Sequence, residues 1–222
     1  MGIESMEPLR KEGTAVLIAK MLREQLADGR LEPGAAVGEA QLASQLEVSR
    51  APVREALQRL AQEGLLDGQY HRRWTVVSID DEDDVRDLYL ARGVIERQAA
   101  ELVAGRPPEA MIDALGRMRE AAAVGDWDGI SSADMQFHDA LVEGSGSRRL
   151  MRMFSTLSVE TSMCLRALKV TYGDDERIVT EHEEVLGALR DPDPSVGRDR
   201  IRLHLERSVE RLVSIHTARA EA

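Results

Sequence analysis

The stretch that most constrains this chain is Gln41–Gly64, QLASQLEVSRAPVREALQRLAQEG. Leu42, Ala43 and Leu46 mark a short first helix, and Glu47 and Val48 make a turn. Val53, Ala56, Leu57 and Leu60 recur at helical spacing and form the inward stripe of a second helix. Ser49 stands where an N-cap belongs. Pro52 falls in the first helical turn, where backbone N–H groups have no intrahelical partner and proline costs little. Gly64 closes the second helix as its C′ residue. Arg50, Arg54 and Arg59 lie outside the stripe. The pattern predicts a helix-turn-helix whose second helix enters a major groove, its arginines gripping phosphate oxygens or guanine edges in bidentate fashion. The plainer alternative is two ordinary amphipathic helices with solvated arginines.

The run VSRAPVREALQRLAQEGLL also resembles the winged helix-turn-helix of the GntR family of bacterial transcription regulators. The family pattern, roughly L-A-x-x-L-x-V-S-R-x-P-V-R-E-A-L-x-x-L-x-x-E-G-L, is met at nearly every fixed position from Leu42 to Leu65. The resemblance implies that Arg50 and Arg54 are the main DNA-contacting side chains, with Ser49 and Pro52 setting the helix entry. One departure is Ala40 after Glu39, where many relatives carry arginine. Leu65–Gln69 and Trp74–Ile79 read as the two short strands of a wing around Tyr70–Arg73. Relatives usually place glycine at the wing tip; here it is His71-Arg72-Arg73, whose charge suits a phosphate or minor-groove contact. Trp74 is expected to pack the wing onto the helices.

The net charge of −11 argues at first against DNA binding. It is unevenly spread: residues 1–79 carry a net of −1 and residues 80–222 a net of −10. From Ser49 to Arg73 there are five arginines against three acids, a local basic patch on an acidic protein. Aromatic residues are few, so the core must rest on Leu, Val, Ile, Ala and Met, which suits helix packing. No apolar run approaches the roughly 18 residues of a membrane span, and no signal peptide opens the chain. The single cysteine, Cys164, excludes an internal disulfide. These readings predict a cytoplasmic protein without membrane attachment. Cys164 reads as a small buried apolar residue.

Two domains are expected, a winged helix-turn-helix DNA-binding domain at 8–79 and an all-helical ligand-binding and dimerisation domain at 80–222. The first opens with a helix over Pro8–Asp28. The acidic run Asp80–Asp84 marks the boundary and stabilises the dipole of the next helix. Beyond it, Gly/Pro/Asp clusters cut the chain into six helical lengths, about 80–104, 108–124, 126–143, 147–171, 174–190 and 194–220. The fold class is therefore mainly α: the winged motif, then an all-α bundle of six helices with room for a seventh.

Polar residues interrupt the apolar stripes of four of these helices. Arg92 breaks Val85, Leu88, Ile95, Ala99 and Leu102. Asp134 and His138 break Trp127, Ile130, Phe137 and Leu141. His182 breaks Ile178, Val179, Val185, Leu186 and Leu189, and His204 sits among Ile201, Leu205 and Leu212. Burying such groups unpaired costs several kcal/mol each. A shared divalent cation is the economical partner, chelated by Asp134 and His138 one turn apart and completed by His182 and His204. Imidazole-rich ligation points to zinc first, with nickel, iron or manganese as the other candidates. Any lone histidine here would instead read as a satisfied core residue.

ADMQFHDAL, EHEEVLGAL and RLHLERS are similar to the FCD ligand-binding domain that follows many GntR-type DNA-binding domains. There an Asp-x3-His pair and two later histidines commonly hold a metal; the matching positions are Asp134, His138, His182 and His204. Arg92, ahead of Ile95-Glu96, matches an arginine that faces the same cavity in relatives and meets an effector carboxylate. Ser145-Gly146-Ser147 departs from the family's S-G-N. Ser158 and Thr161 on the next helix are weaker candidates for effector hydroxyl contacts. Arg92 could instead pair with a buried carboxylate such as Glu96 or Glu160. The resulting expectation is a homodimeric, ligand-responsive repressor, not an enzyme. It would bind a pseudo-palindromic double-stranded operator and sense a small carboxylate through a metal-containing pocket. The alternatives are a metal-dependent enzyme acting on a small carboxylate, or a regulator in which the metal is structural or is itself the signal.

Overall fold

The structure is a computed structural model that describes residues 13–69, 73–79, 81–167 and 175–220. It is mainly α, with nine helices and three short strands among the described residues. Two compact units divide at Val77 and Ser78, with Ala27–Gly29 assigned to the second.

The first unit comprises α1 (Thr14–Ala27), β1 (Ala36–Gly38), α2 (Glu39–Gln45), α3 (Arg50–Gln62), β2 (Leu66–Gln69) and β3 (Arg73–Val76). Its core gathers Ile18, Leu22 and Leu26 of α1 and Val53, Leu57 and Leu60 of α3, all buried. At the end of α3, Arg23 grips Glu63 through two hydrogen bonds of 2.7 and 2.6 Å. The expected helix-turn-helix is present as α2 and α3. Its turn takes a left-handed residue, Glu47 at φ 52°, although glycine is the residue that fills such a position without strain. For a side chain other than glycine the conformation costs about 1 kcal/mol or more. Val48 N–H donating to the Ala43 carbonyl closes it. Gly64, at φ 81°, ends α3 in the same manner, with Leu65 N–H donating to the Leu60 carbonyl.

The sheet order is β1-β3-β2, both pairs antiparallel. The two wing strands are present, β2 within the expected Leu65–Gln69 and β3 starting one residue before the expected Trp74 and ending at Val76, short of Ile79. β1 has no counterpart in the sequence reading, because three residues ending in glycine carry no alternation that can be recognised. Gly68 pairs with Trp74 across the wing, and a Cβ there would collide with the indole. The ring therefore lies on its cross-strand glycine. The tip residues His71 and Arg72 lie outside the described residues.

The second unit holds six helices: α4 (Glu82–Leu102), α5 (Glu109–Ala123), α6 (Trp127–Gly144), α7 (Arg148–Ala167), α8 (Asp175–Leu189) and α9 (Pro194–Ala220). No seventh helix is present among the described residues of this unit. The acidic run begins α4 as its charge suggested: Asp81 caps it by accepting from Asp84 N–H at 2.9 Å, with Glu82, Asp83 and Asp84 in the first turn. Asp126 caps α6 in the same way through Gly129 N–H. The helices enclose one apolar core running from Val85 to Leu212, with Met111, Met118, Phe137, Phe154 and Leu189 fully or nearly fully buried. Cys164 is buried in it, and burial pushes its thiol up to about 12. Among the described residues no helix is long and apolar enough to cross a membrane.

Candidate metal centre and nucleic-acid face

Four helices turn polar groups into the middle of the second unit. α4 supplies Arg92 and α6 Asp134 and His138, while α8 supplies His182 and α9 His204. All five line one cavity of about 20 Å³. Arg92 and the three histidines are at most 4% exposed, and the Asp134 side chain is 15% exposed. The imidazoles sit together, with His182 and His204 centroids 4.6 Å apart and His138 and His204 stacked at 5.2 Å. One ligand atom from each of His138, His182 and His204 lies within 4.8 Å of the others, so this buried triad could hold a metal ion.

The hydrogen bonds decide which nitrogens are available. His138 Nδ1 faces Glu96 Oε2 at 2.5 Å, and a carboxylate only accepts, so Nδ1 carries the proton and Nε2 a lone pair. His182 Nδ1 donates to the Ile178 carbonyl at 2.8 Å, which leaves a lone pair on its Nε2 as well. That Nε2 lies 2.9 Å from Asp134 Oδ1. Two acceptors this close repel unless a proton or a cation sits between them. His204 Nε2 lies 3.3 Å from His138 Nε2. Two nitrogens each 2.0–2.1 Å from a tetrahedral zinc are about 3.3 Å apart. With an ion on Nε2, His204 carries its proton on Nδ1, a buried atom without a hydrogen-bond partner. Its nearest carboxylate oxygen, Glu181 Oε2 at 3.8 Å, also lacks one. The donor set therefore fits a divalent cation.

The charges follow the same geometry. Burial would raise the Asp134 carboxyl, but His182 and His138 outweigh it and hold the group far below the usual carboxylate range. Burial would lower His182, and Asp134 more than offsets this. His204 has no such partner; burial and the two neighbouring imidazoles push it well below its ordinary value. Arg92 Nε donates to Glu96 Oε1 at 2.8 Å, and its guanidinium lies over the Tyr89 ring at 4.7 Å. Pairing with Glu96 is thus realised, and pairing with Glu160 is not among the described bonds. Arg92 Nη2 is buried without a partner.

On the first unit, Arg50 and Arg54 are exposed one turn apart on α3, while Pro52 is partly buried. Ser49 occupies the N-cap position in extended conformation, yet its side chain makes no capping bond, so the expected cap is one of position only. Arg54 is not simply solvated: Nε and Nη2 donate to the two oxygens of Glu39 at 3.0 and 2.7 Å. Arg73, at the start of β3, is exposed.

Comparison with known proteins agrees with both halves. Residues 14–76 match the bacterial regulatory proteins of the gntR family, and residues 87–207 match the FCD domain. The chain belongs to the GntR family, in its FCD branch. A solved structure of a GntR transcriptional regulator from Rhodococcus sp. RHA1 superposes with a TM-score of 0.78 at 25% identity, covering 90% of this chain and 97% of that one. The chain is 28% identical over 207 residues to a Paenarthrobacter nicotinovorans protein named "probable D-xylose utilization operon transcriptional repressor", spanning 90% of this chain and 91% of that protein. It is 29% identical over 195 residues to the gluconate operon transcriptional repressor of Bacillus licheniformis, spanning 83% and 79%. These matches place this GntR-family chain among DNA-binding transcriptional regulators and not among enzymes.

Two candidates do not reach the cavity of this GntR-family chain. Ser158 and Thr161 are buried on α7 but are not among its lining residues. Thr161 Oγ1 donates back to the Leu157 carbonyl at 2.7 Å, a bond one turn up its own helix. Conversely, the sequence singles out neither Glu181 nor Arg211, and Glu96 only as a partner for Arg92. Arg211 and Ser208 line the cavity, and Glu181 is 5% exposed and bound by Arg211 at 2.7 Å.

Proposed function

We propose that the protein is a homodimeric, metal-containing, ligand-responsive repressor of transcription, working in the cytoplasm. α3 would read a pseudo-palindromic operator through Arg50 and Arg54, with Ser49 and Pro52 setting its entry and Arg73, together with the wing-tip residues His71 and Arg72, on the phosphates. Asp134, His138, His182 and His204 would hold a divalent ion, zinc before nickel, iron or manganese. A small carboxylate would be met by the metal and by the unpartnered Nη2 of Arg92. The observation that carries this reading is the convergence of histidine lone pairs and one carboxylate on a single buried cavity beside that arginine. A relative named for the gluconate operon directs the first effector screen to sugar acids.

The cavity volume favours a second reading. A space of about 20 Å³ admits one water-sized occupant, so a metal fits as it stands, whereas an organic acid requires the walls to part. In the second reading the metal is structural or is itself the signal, and chelation alone changes operator binding.

Thermal unfolding with chelator, with zinc, and with zinc plus a panel of sugar acids separates the readings. Zinc at a hundred times its Kd should stabilise the wild type by about 2.7 kcal/mol, and His138→Ala should lose that gain. A carboxylate that shifts the melting temperature only with zinc present, and releases operator in a gel shift, supports the first reading. Operator binding that follows zinc alone supports the second. Equal metal content in wild type and His138→Ala by elemental analysis refutes the site.

A further inference from the structure

Two of the three histidines have a buried glutamate behind the ring, and each glutamate is held from its far side by an arginine that lines the cavity. Glu96 is fully buried; one oxygen takes Arg92 Nε at 2.8 Å and the other faces His138 Nδ1 at 2.5 Å. Glu181 repeats the plan loosely, with Oε1 taking Arg211 Nη1 at 2.7 Å and Oε2 standing 3.8 Å from His204 Nδ1. His182 lacks a glutamate and relies on the Ile178 carbonyl.

We propose that Glu96 is a positioning residue for metal binding, fixing the tautomer and orientation of His138 and linking that ring to Arg92. This rests on the reading that the ion sits on the Nε2 atoms. A neutral ring has one N–H and one lone pair, and a carboxylate behind Nδ1 forces the lone pair onto Nε2, toward the cavity. It also makes the ring a stronger donor to a cation. Arg92 is what allows Glu96 to stay ionised without water, since an unpaired carboxylate at full burial would be prohibitively costly. An anion taken by Arg92 Nη2 would therefore act on His138 through Glu96. The Glu181 pair lacks the short bond and contributes less.

The test is a zinc titration by competition with a chromophoric chelator, on wild type, Glu96→Gln, Glu181→Gln and His138→Ala, with circular dichroism to check the fold. The amide of Glu96→Gln keeps the shape and removes the charge. It should weaken zinc about 10- to 100-fold, the range for outer-shell partners, and Glu181→Gln should weaken it less. Tight wild-type binding that is lost in His138→Ala and unchanged in Glu96→Gln overturns the role of Glu96 alone. Equally weak binding by wild type and His138→Ala overturns the metal reading, and the role of Glu96 with it. If Glu96→Gln does not fold, nitrogen-15 shifts of the zinc-loaded wild type read the same claim. A proton on His138 Nδ1 supports it, and zinc on Nδ1 overturns it.

Discussion

Arg54 and Arg92 are both held by a glutamate, and the two pairs behave as opposites because of where water is. Arg54 lies on α3 with its side chain 58% exposed, and Glu39 binds it through two hydrogen bonds. The Glu39 side chain is 12% exposed, but water and salt reach the guanidinium, so such a pair contributes little, about 0–1 kcal/mol. It can therefore be exchanged for a phosphate or a guanine edge at small cost. Arg92 and Glu96 are 1% and 0% exposed, and no solvent can take the place of either. The first arrangement suits a side chain that must change partners. The second suits one that must keep its position while something else binds beside it.

Removing one partner from each pair gives the largest expected contrast. Arg92→Ala should destabilise the protein by about 3–5 kcal/mol, because Glu96 remains buried with its charge uncompensated. Arg54→Ala should change stability by less than about 1 kcal/mol. Urea unfolding with chelator present, so that metal linkage does not enter, measures both. Similar losses at the two sites would mean that burial is not what separates them.

Operator binding should reverse the order. Arg54→Ala should cost about 1–3 kcal/mol in affinity for a specific site, the worth of one bidentate base contact, with the fold intact. Glu39→Gln frees the same arginine and removes a negative charge beside the DNA, so its binding should be no weaker than wild type. Gel shifts at fixed salt compare the two. Full affinity in Arg54→Ala would remove this arginine from the reading surface.

The same contrast explains what could be read from the sequence. The helices were legible because Gly/Pro/Asp clusters separate them, and Asp134, His138, His182 and His204 because each interrupts an otherwise apolar stripe. Glu96 was weighed only as a partner for Arg92. One turn after an arginine, a glutamate looks like an ordinary surface pair, and nothing local tells that it is fully buried behind His138. Glu181 is hidden in the charged run Glu181-His182-Glu183-Glu184. Glu39 and Arg54 are fifteen positions apart, and their pairing depends on how the turn at Glu47 folds α2 back on α3. Ser158 and Thr161 read as effector contacts because hydroxyls on a bundle helix resemble cavity contacts; neither lines this cavity, and Thr161 donates to its own backbone.

Glu160 tests the intermediate case, a half-buried carboxylate with a like charge near it and no offsetting cation among the described residues. Burial first, and Asp87 second, push its carboxyl up from 4.5 to about 7. A folded-state value above the unfolded one means the folded state holds the proton more tightly. Its stabilising contribution is therefore complete below about pH 4.5 and is lost as the pH rises through about 7. Glu160→Gln cannot titrate, so the stability difference between variant and wild type should grow in the variant's favour from pH 5 to pH 8. The expected gain is the smallest of these effects, because water still reaches the group and weakens the penalty. Every other group is common to the two proteins, so its contribution cancels in the difference. A constant difference across that interval would show that the partly exposed carboxylate is solvated well enough to behave like a surface group rather than like the fully buried Glu96.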